Sequence, residues 1–598
     1  MAYIRTPSGA SGQSASTESF QAVKHVRLWH VCLVLVLAIF FVRLFYLQVI
    51  RHDYYKAAAL SDQLKQYEIP ATRGTIMAHD GERLIPIVLN EKLYTIYADP
   101  SFVHDTKKAA SLVASVVGGD TAKYQDLMRD KQSRYAVLAK KVTQEQKNKI
   151  LQPELPGIGA QRQDYRTYPQ GRLAAQVLGF VNAEGKGVYG IEQALNNELK
   201  GTAGELKAIT DVRGVPLASN PDNVLKPAVP GRDIALTLDL AMQKQVENLL
   251  KKGVERTKAE SGSALIMDVS TGSVKAMANY PTYDPAKFGE VEDGALFNNN
   301  AVTKPIEVGS IMKPLTTAAA LDQGVIRPNQ TYADPAKWKI DEFNITNVEE
   351  GRTPGTRSIT DILNMSLNTG VTWELMQMGG GTINSKARSA WYDYMTKRFR
   401  FGSPTGIEQG FEAEGSVPTP EDNGAGINLT YANTTFGQAM TATPVQMAAA
   451  MSAVMNGGTY YQPRLVEGTV DEQGDLQAAK PVVVSRGVVS SQVAGQLIPM
   501  MQYTIDHHNP VPKFDQERYM VGGKTGTAQI AKPGGGYYED LFNGTYLGFV
   551  GGDKPQYVIA VFMHKPRIAG YAGFAAAQPV FVDMAHMLIN NSFVTPKN

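Results

Sequence analysis

Ser310 and Lys313 stand three residues apart in Glu307-Val308-Gly309-Ser310-Ile311-Met312-Lys313-Pro314, which holds the one Ser-x-x-Lys of the chain. On a helix, positions three apart lie on one face. If Gly309 closes a loop and Ser310 opens a helix, the hydroxyl and the amine point at the same space. A serine hydroxyl is a poor nucleophile until a neighbouring base takes its proton. Lysine can be that base, because burial or a second cation lowers its pKa readily. The free N–H groups at the start of such a helix suit a developing oxyanion. Taken alone, the same residues also read as an N-cap serine and a solvated lysine of the first turn.

Two later stretches decide between these readings. Met365-Ser366-Leu367-Asn368-Thr369-Gly370 contains a Ser-x-Asn, by itself a common turn motif. Val521-Gly522-Gly523-Lys524-Thr525-Gly526-Thr527-Ala528 contains the one Lys-Thr-Gly, a strand pattern with glycine where another backbone or a substrate approaches. The order Ser-x-x-Lys, Ser-x-Asn, Lys-Thr-Gly, with gaps of roughly 55 and roughly 155 residues, is that of serine acyltransferases that bind penicillin.

These motifs need a scaffold, and 598 residues suffice for several domains. With 43% hydrophobic and 19% charged residues the composition is that of globular protein, and a formal charge of +2 argues against a nucleic-acid partner. The single cysteine, Cys32, excludes an internal disulfide and a cysteine-based zinc site. No metal or other cofactor is expected. His507-His508 is read as part of a loop, since adjacent residues rarely converge on one ion.

Residues 1–27 are expected to be a cytoplasmic tail, with disorder over its Ser/Gly/Ala/Thr-rich part to about residue 22. The apolar run 28–50 is long enough to cross a bilayer, and no small-x-small cleavage site follows it, which favours an uncleaved anchor over a signal peptide. Lys24 and Arg27 before it and Arg51 and Lys56 after it leave the charge balance across it nearly even. Residues 51–225 read as a mixed module: a strand and turn around Asp80-Gly81, helical periodicity from about Thr106 to Lys149, then a glycine-rich irregular region. A polar connector between Pro221 and Pro230 marks the boundary to 226–598. There, strands at both ends of a long helical insert predict an antiparallel sheet packed by helices.

The sequence resembles the class B penicillin-binding proteins, membrane-anchored D,D-transpeptidases of bacterial cell-wall synthesis. FVRLFYLQVI is similar to their anchor. ATRGTI, YRTYPQGRLAAQVLGFV, GVYGIE and LKGTAGE are similar to their non-catalytic pedestal, a dimerisation-like domain. ALIMDVSTGSVKAMANYP, NNNAVTKPIEVGSIMKP, FGQAMTATPVQMAAAMSAVMNGG, KTGTAQ and AAAQPVF are similar to their transpeptidase domain. Val308 stands where the family has proline and Leu367 where it often has serine, and neither change removes a reacting group. Residues 375–400 match little.

The resemblance implies an α+β multidomain chain with a penicillin-binding, serine β-lactamase-like catalytic domain held outside the cytoplasmic membrane. It implies that Ser310 attacks the penultimate carbonyl of a stem peptide ending in D-Ala-D-Ala, with Lys313 as base. Ser366 relays a proton, Asn368 holds Lys313 and a substrate amide, Lys524 and the hydroxyls of Thr525 and Thr527 bind the terminal carboxylate with Gly526 in the same substrate-binding stretch, and the N–H groups of Ser310 and Thr527 form the oxyanion hole. β-Lactams would trap Ser310, and a multi-pass lipid II polymerase would be the membrane partner, in division or elongation. A β-lactam sensor and a non-enzymatic scaffold remain as alternatives. A β-lactamase and a carboxypeptidase are disfavoured, because neither chemistry needs the module between anchor and motifs.

Overall fold

The computed structural model describes residues 18–56, 64–209, 224–347, 353–421, 426–507 and 513–597. The chain divides into two compact units: 1–71 with 202–229, and 72–201 with 230–598.

In the first unit, helix α1 (Glu18–Phe45) continues into a π-helical turn, Tyr46–Ile50. Helix thus begins within the expected tail. Its first residues include Gln21, Ala22 and Lys24, which favour helix, so it extends upstream of the apolar segment. Residues 1–17 of the tail lie outside the described residues. Arg27–Ile50 is the one helix among the described residues long and apolar enough to cross a membrane. Leu64–Ile69, Gly204–Ile209 and Val224–Lys226 form an antiparallel sheet in the same unit.

The second unit holds two large sheets and, among the described residues, four two-stranded ones. One large sheet has the order β9-β8-β5-β1-β2-β3, where β1 is Ile76–Asp80, β2 Arg83–Ala98, β3 Ala136–Val142, β5 Asp233–Asp239, β8 Val466–Val470 and β9 Leu476–Ala478; β4 (Ile158–Thr167) also pairs with β2. β5 lies parallel to β1. Strands from before and after the connector therefore share one sheet, which no local sequence signal could announce. Gly81 sits at φ +65° in the β1–β2 hairpin, as the Asp-Gly pair predicts. The periodicity from Thr106 is helical to Val117 and again over 121–127, but 136–142 is strand. Its Ala, Leu and Lys favour helix, and pairing with β2 overrides them.

The other large sheet is antiparallel, β7-β6-β12-β11-β10, with β6 Ser261–Asp268, β7 Val274–Tyr280, β10 Met520–Ala531, β11 Tyr537–Gly551 and β12 Pro555–His564. It is buried on both faces, which explains why its strands read as apolar runs rather than alternating ones. Ala264 and Ile266 of β6 face a core shared with α2 (Leu240–Thr257) and the C-terminal helix Gln578–Asn590. Leu265 and Met267 face the opposite core, where α3 (Lys313–Asp322), α4 (Asn368–Met378) and α5 (Pro444–Met455) pack. Every residue of α5 is buried, and its alanines permit that close contact. The segment 375–400 completes α4, adds a helix over Ser385–Asp393 and ends in a π-turn. Trp391 of that helix is fully buried and meets Tyr431 edge-on.

Candidate active site

The three motifs meet where α3, α4 and the edge strand β10 converge. Ser310 lies in a single 3-10 turn, Gly309–Met312, which runs directly into α3 at Lys313. The turn is clamped from both sides. Gly309, at φ +67°, donates its N–H to Gly437 O at 3.0 Å, and a Cβ added to Gly309 would lie 2.8 Å from Thr527 O. A Cβ on Gly526 would lie 2.7 Å from Val308 O, so glycine in Lys-Thr-Gly is what lets β10 approach the serine turn. Val308 is fully buried, and its carbonyl accepts a 2.7 Å bond from Thr545 Oγ1.

Lys313 is wholly buried, and its Nζ donates to Ser366 O at 2.5 Å and Asn368 Oδ1 at 2.8 Å, and lies 3.1 Å from Ser366 Oγ. Burial pushes the amine well below the ordinary lysine range, and the like charge of Lys524 adds to this; Glu374 opposes it. Ser366 adopts φ +56°, a left-handed conformation that an L-residue enters at a cost. That turn delivers both its carbonyl and its hydroxyl to one amine. Leu367 is fully buried and its N–H bonds Ile362 O, so the apolar residue at the centre of Ser-x-Asn anchors the turn in the core. Asn368 opens α4 and donates one amide proton to Thr346 O at 3.0 Å.

On β10, Lys524 is buried and donates to Thr525 O at 3.1 Å and Thr525 Oγ1 at 3.2 Å; burial lowers it to about 7. Thr527 Oγ1 accepts from Gly573 N–H at 2.9 Å, which leaves its own proton free to donate. Because β10 is the sheet's edge, the backbone groups on its outer side are not used by a neighbouring strand. All eight motif residues named from the sequence thus come to this junction.

The sequence reading missed two carboxyls nearby. Glu307 accepts from Ala439 N–H and from Tyr537 Oη, both at 2.9 Å, tying the turn before Ser310 to the start of β11. Glu374 of α4 is buried against Thr317 of α3. Its only signal in sequence is a charged residue inside the apolar run Thr369–Met378. Among the described residues no group of three or more His, Cys, Asp or Glu is arranged to hold a metal ion, and His508 lies outside them.

The class this site defines is matched by comparison. The family model of the penicillin binding protein transpeptidase domain covers residues 262–586, and that of the penicillin-binding protein dimerisation domain covers 68–236. The chain belongs to the penicillin-binding protein transpeptidase family. It is 30% identical to the penicillin-binding protein PbpB of Mycobacterium tuberculosis, over 92% of this chain and 82% of that one. It is 27% identical to the peptidoglycan D,D-transpeptidase FtsI of Escherichia coli K12, over 92% and 89%. Penicillin binding protein 3 of M. tuberculosis has a similar solved structure, with TM-score 0.65 and 25% identity over 88% of this chain and 98% of that one.

Proposed function

We propose that this protein is a peptidoglycan D,D-transpeptidase that works through an acyl-enzyme on Ser310. The observation that carries the reading is the buried, deprotonation-prone Lys313, held by Ser366 and Asn368 in the turn after Ser310. A neutral amine has two N–H bonds and one lone pair. The Ser366 carbonyl and Asn368 Oδ1 take the two donors, which leaves the lone pair for a hydroxyl proton. Lys313 removes the Ser310 proton as Oγ attacks the penultimate carbonyl of a D-Ala-D-Ala stem. Ser366 passes a proton to the leaving D-Ala amine. An amine of a neighbouring stem then takes the acyl group, and Ser310 recovers its proton. Lys524, Thr525 and Thr527 hold the terminal carboxylate, since a cation with hydroxyl donors suits an anion. The N–H groups of Ser310 and Thr527 receive the oxyanion. Asn368 positions Lys313 and contributes an amide contact to the stem, and Gly526 keeps the strand close.

A β-lactam mimics the D-Ala-D-Ala end and stops at the acyl-enzyme. Fluorescent penicillin should label the wild type and give a stable mass adduct, and Ser310→Ala should abolish both. Labelling that survives in Ser310→Ala would remove the nucleophile assignment, and rapid release of hydrolysed drug would point to a β-lactamase. Gly437→Ala tests the clamp behind the serine. Gly437 sits at φ +78°, and its added Cβ would lie 2.2 Å from Gly309 O. The Ser310 turn must shift, and labelling should slow by about a hundredfold, the usual effect of a 1 Å misplacement.

The helix Arg27–Ile50 anchors the protein in the cell membrane, and the catalytic domain 226–598 works outside the cytoplasm. The helix's exposed apolar face of Leu35, Ala38, Ile39 and Val42, edged by Arg43 and Tyr46, suits a helix of a multi-pass lipid II polymerase. Co-purification from membranes, lost on replacing Ala38 and Val42 by bulky residues, tests that partner.

A further inference from the structure

Behind Lys313, one turn further along α3, Thr317 is fully buried and its Oγ1 lies 3.0 and 3.1 Å from the two carboxyl oxygens of Glu374. Glu374 comes from α4, the helix that Asn368 opens, and it too is fully buried. Among the described residues it has no ion pair, and one threonine hydroxyl is its only side-chain donor. An acid so placed is expensive unless its charge answers another. The opposite charge it can answer is on Lys313.

We propose that Glu374 is a positioning residue of the acylation chemistry: fixed to Thr317 behind the α3–α4 junction, its carboxylate compensates the ammonium that Lys313 becomes on taking the Ser310 proton. The inference rests on the reading of Lys313 as base. Without a counter-charge, protonated Lys313 would face the like charge of Lys524, with both amines buried. With Glu374, the buried set carries an acid opposite its two amines. Burial raises the carboxyl to about 8, while the Thr317 hydroxyl and Lys313 both pull it back, so its charge is coupled to the state of the amine. The other titratable groups around the pair are Lys524 on β10, and Tyr332, which stacks on Trp373 with Asp334 close by. Asp322, at the far end of α3, is engaged by Arg398 at 2.9 Å and Tyr394 at 2.7 Å.

The sign follows from charge. Glu374→Gln keeps the shape and removes the anion, so Lys313 becomes a weaker base whose neutral form persists to lower pH. The rate of labelling by fluorescent penicillin, measured against pH on the full chain, should therefore show its acid limb displaced downward by about one pH unit. Its plateau should fall about tenfold, as for a weakened general base. Thr317→Val removes the donor that favours the carboxylate and should move the limb in the same direction by less. Glu374→Asp, which keeps the charge, should restore part of the plateau. A purely structural role would lower melting temperature without moving the limb. An acid limb at its wild-type position in Glu374→Gln overturns the proposal, and if that variant does not fold, the limb of Thr317→Val decides it. Wild-type protein with no Ser310-dependent labelling would overturn the acyl-enzyme reading and this inference with it; a Ser310-dependent label with an unmoved limb overturns this inference alone.

Discussion

Lys313→Met should lower the rate of penicillin acylation by about a thousandfold or more and leave a folded protein. Methionine is close to lysine in length and has no charge to bury. The site it enters is fully enclosed, and the amine it replaces is already held well below its ordinary pKa by that burial and by Lys524. The variant leaves Ser366 O and Asn368 Oδ1 without their donor, at a cost of about 1–3 kcal/mol each if water cannot reach them. Losing the desolvated amine offsets part of that cost. Chemically the loss is much larger, because a positioned base is worth about 10²–10⁴ in rate. Intact mass after incubation with penicillin, followed in time beside a melting curve, separates the two effects. Near-wild-type acylation by Lys313→Met would show that the serine is activated by another group, and Ser366 would be the next to test.

The second large effect lies far from the serine. Glu192 is fully buried and is gripped by two guanidinium groups. Arg73 Nε donates to Oε2 at 2.7 Å and Arg166 Nε to Oε1 at 2.7 Å, while Arg73 also donates to Glu192 O and to Asn196 Oδ1. Arg166 further donates to Asn90 Oδ1 at 2.8 Å, and Asn90 Nδ2 returns to the Arg73 carbonyl. This ties the segment before β1, the strands β2 and β4 and the short helix Gly190–Ala194 into one knot. Burial pulls the Arg73 guanidinium down, and Glu192 pulls it back. Glu192→Gln keeps the volume and removes the only acid of the knot, leaving two buried cations facing each other. Removing one partner of a buried pair typically costs about 3–5 kcal/mol. The variant should lose most of its soluble yield, or its first denaturation step should move to markedly lower urea. A midpoint unchanged from wild type would mean that solvent already reaches the knot. The glycines nearby answer to the same packing: a Cβ on Gly187 would lie 1.8 Å from Glu192 O.

Much of this protein was legible from local chemistry. Ser310, Lys313, Ser366, Asn368 and Lys524 through Thr527 are picked out by short spacings, because the roles proposed for them, a nucleophile, its base and an anion-binding strand, each need particular residue types at fixed offsets. The membrane-length helix, the Asp-Gly hairpin and the two-face apolar strands of the central sheet follow from periodicity and turn preference, which act within a few residues. What tertiary structure alone decided is long-range. The strand at 136–142 exists because β2 offers it a partner. The parallel pairing of β1 with β5 joins segments more than a hundred residues apart in sequence. Leu367 is apolar because the Ser366 turn buries it, and Glu374 matters because α4 brings it to Thr317 behind Lys313. A carboxyl reads as a surface residue in sequence; only the packing that removes its water makes its charge answer to a lysine.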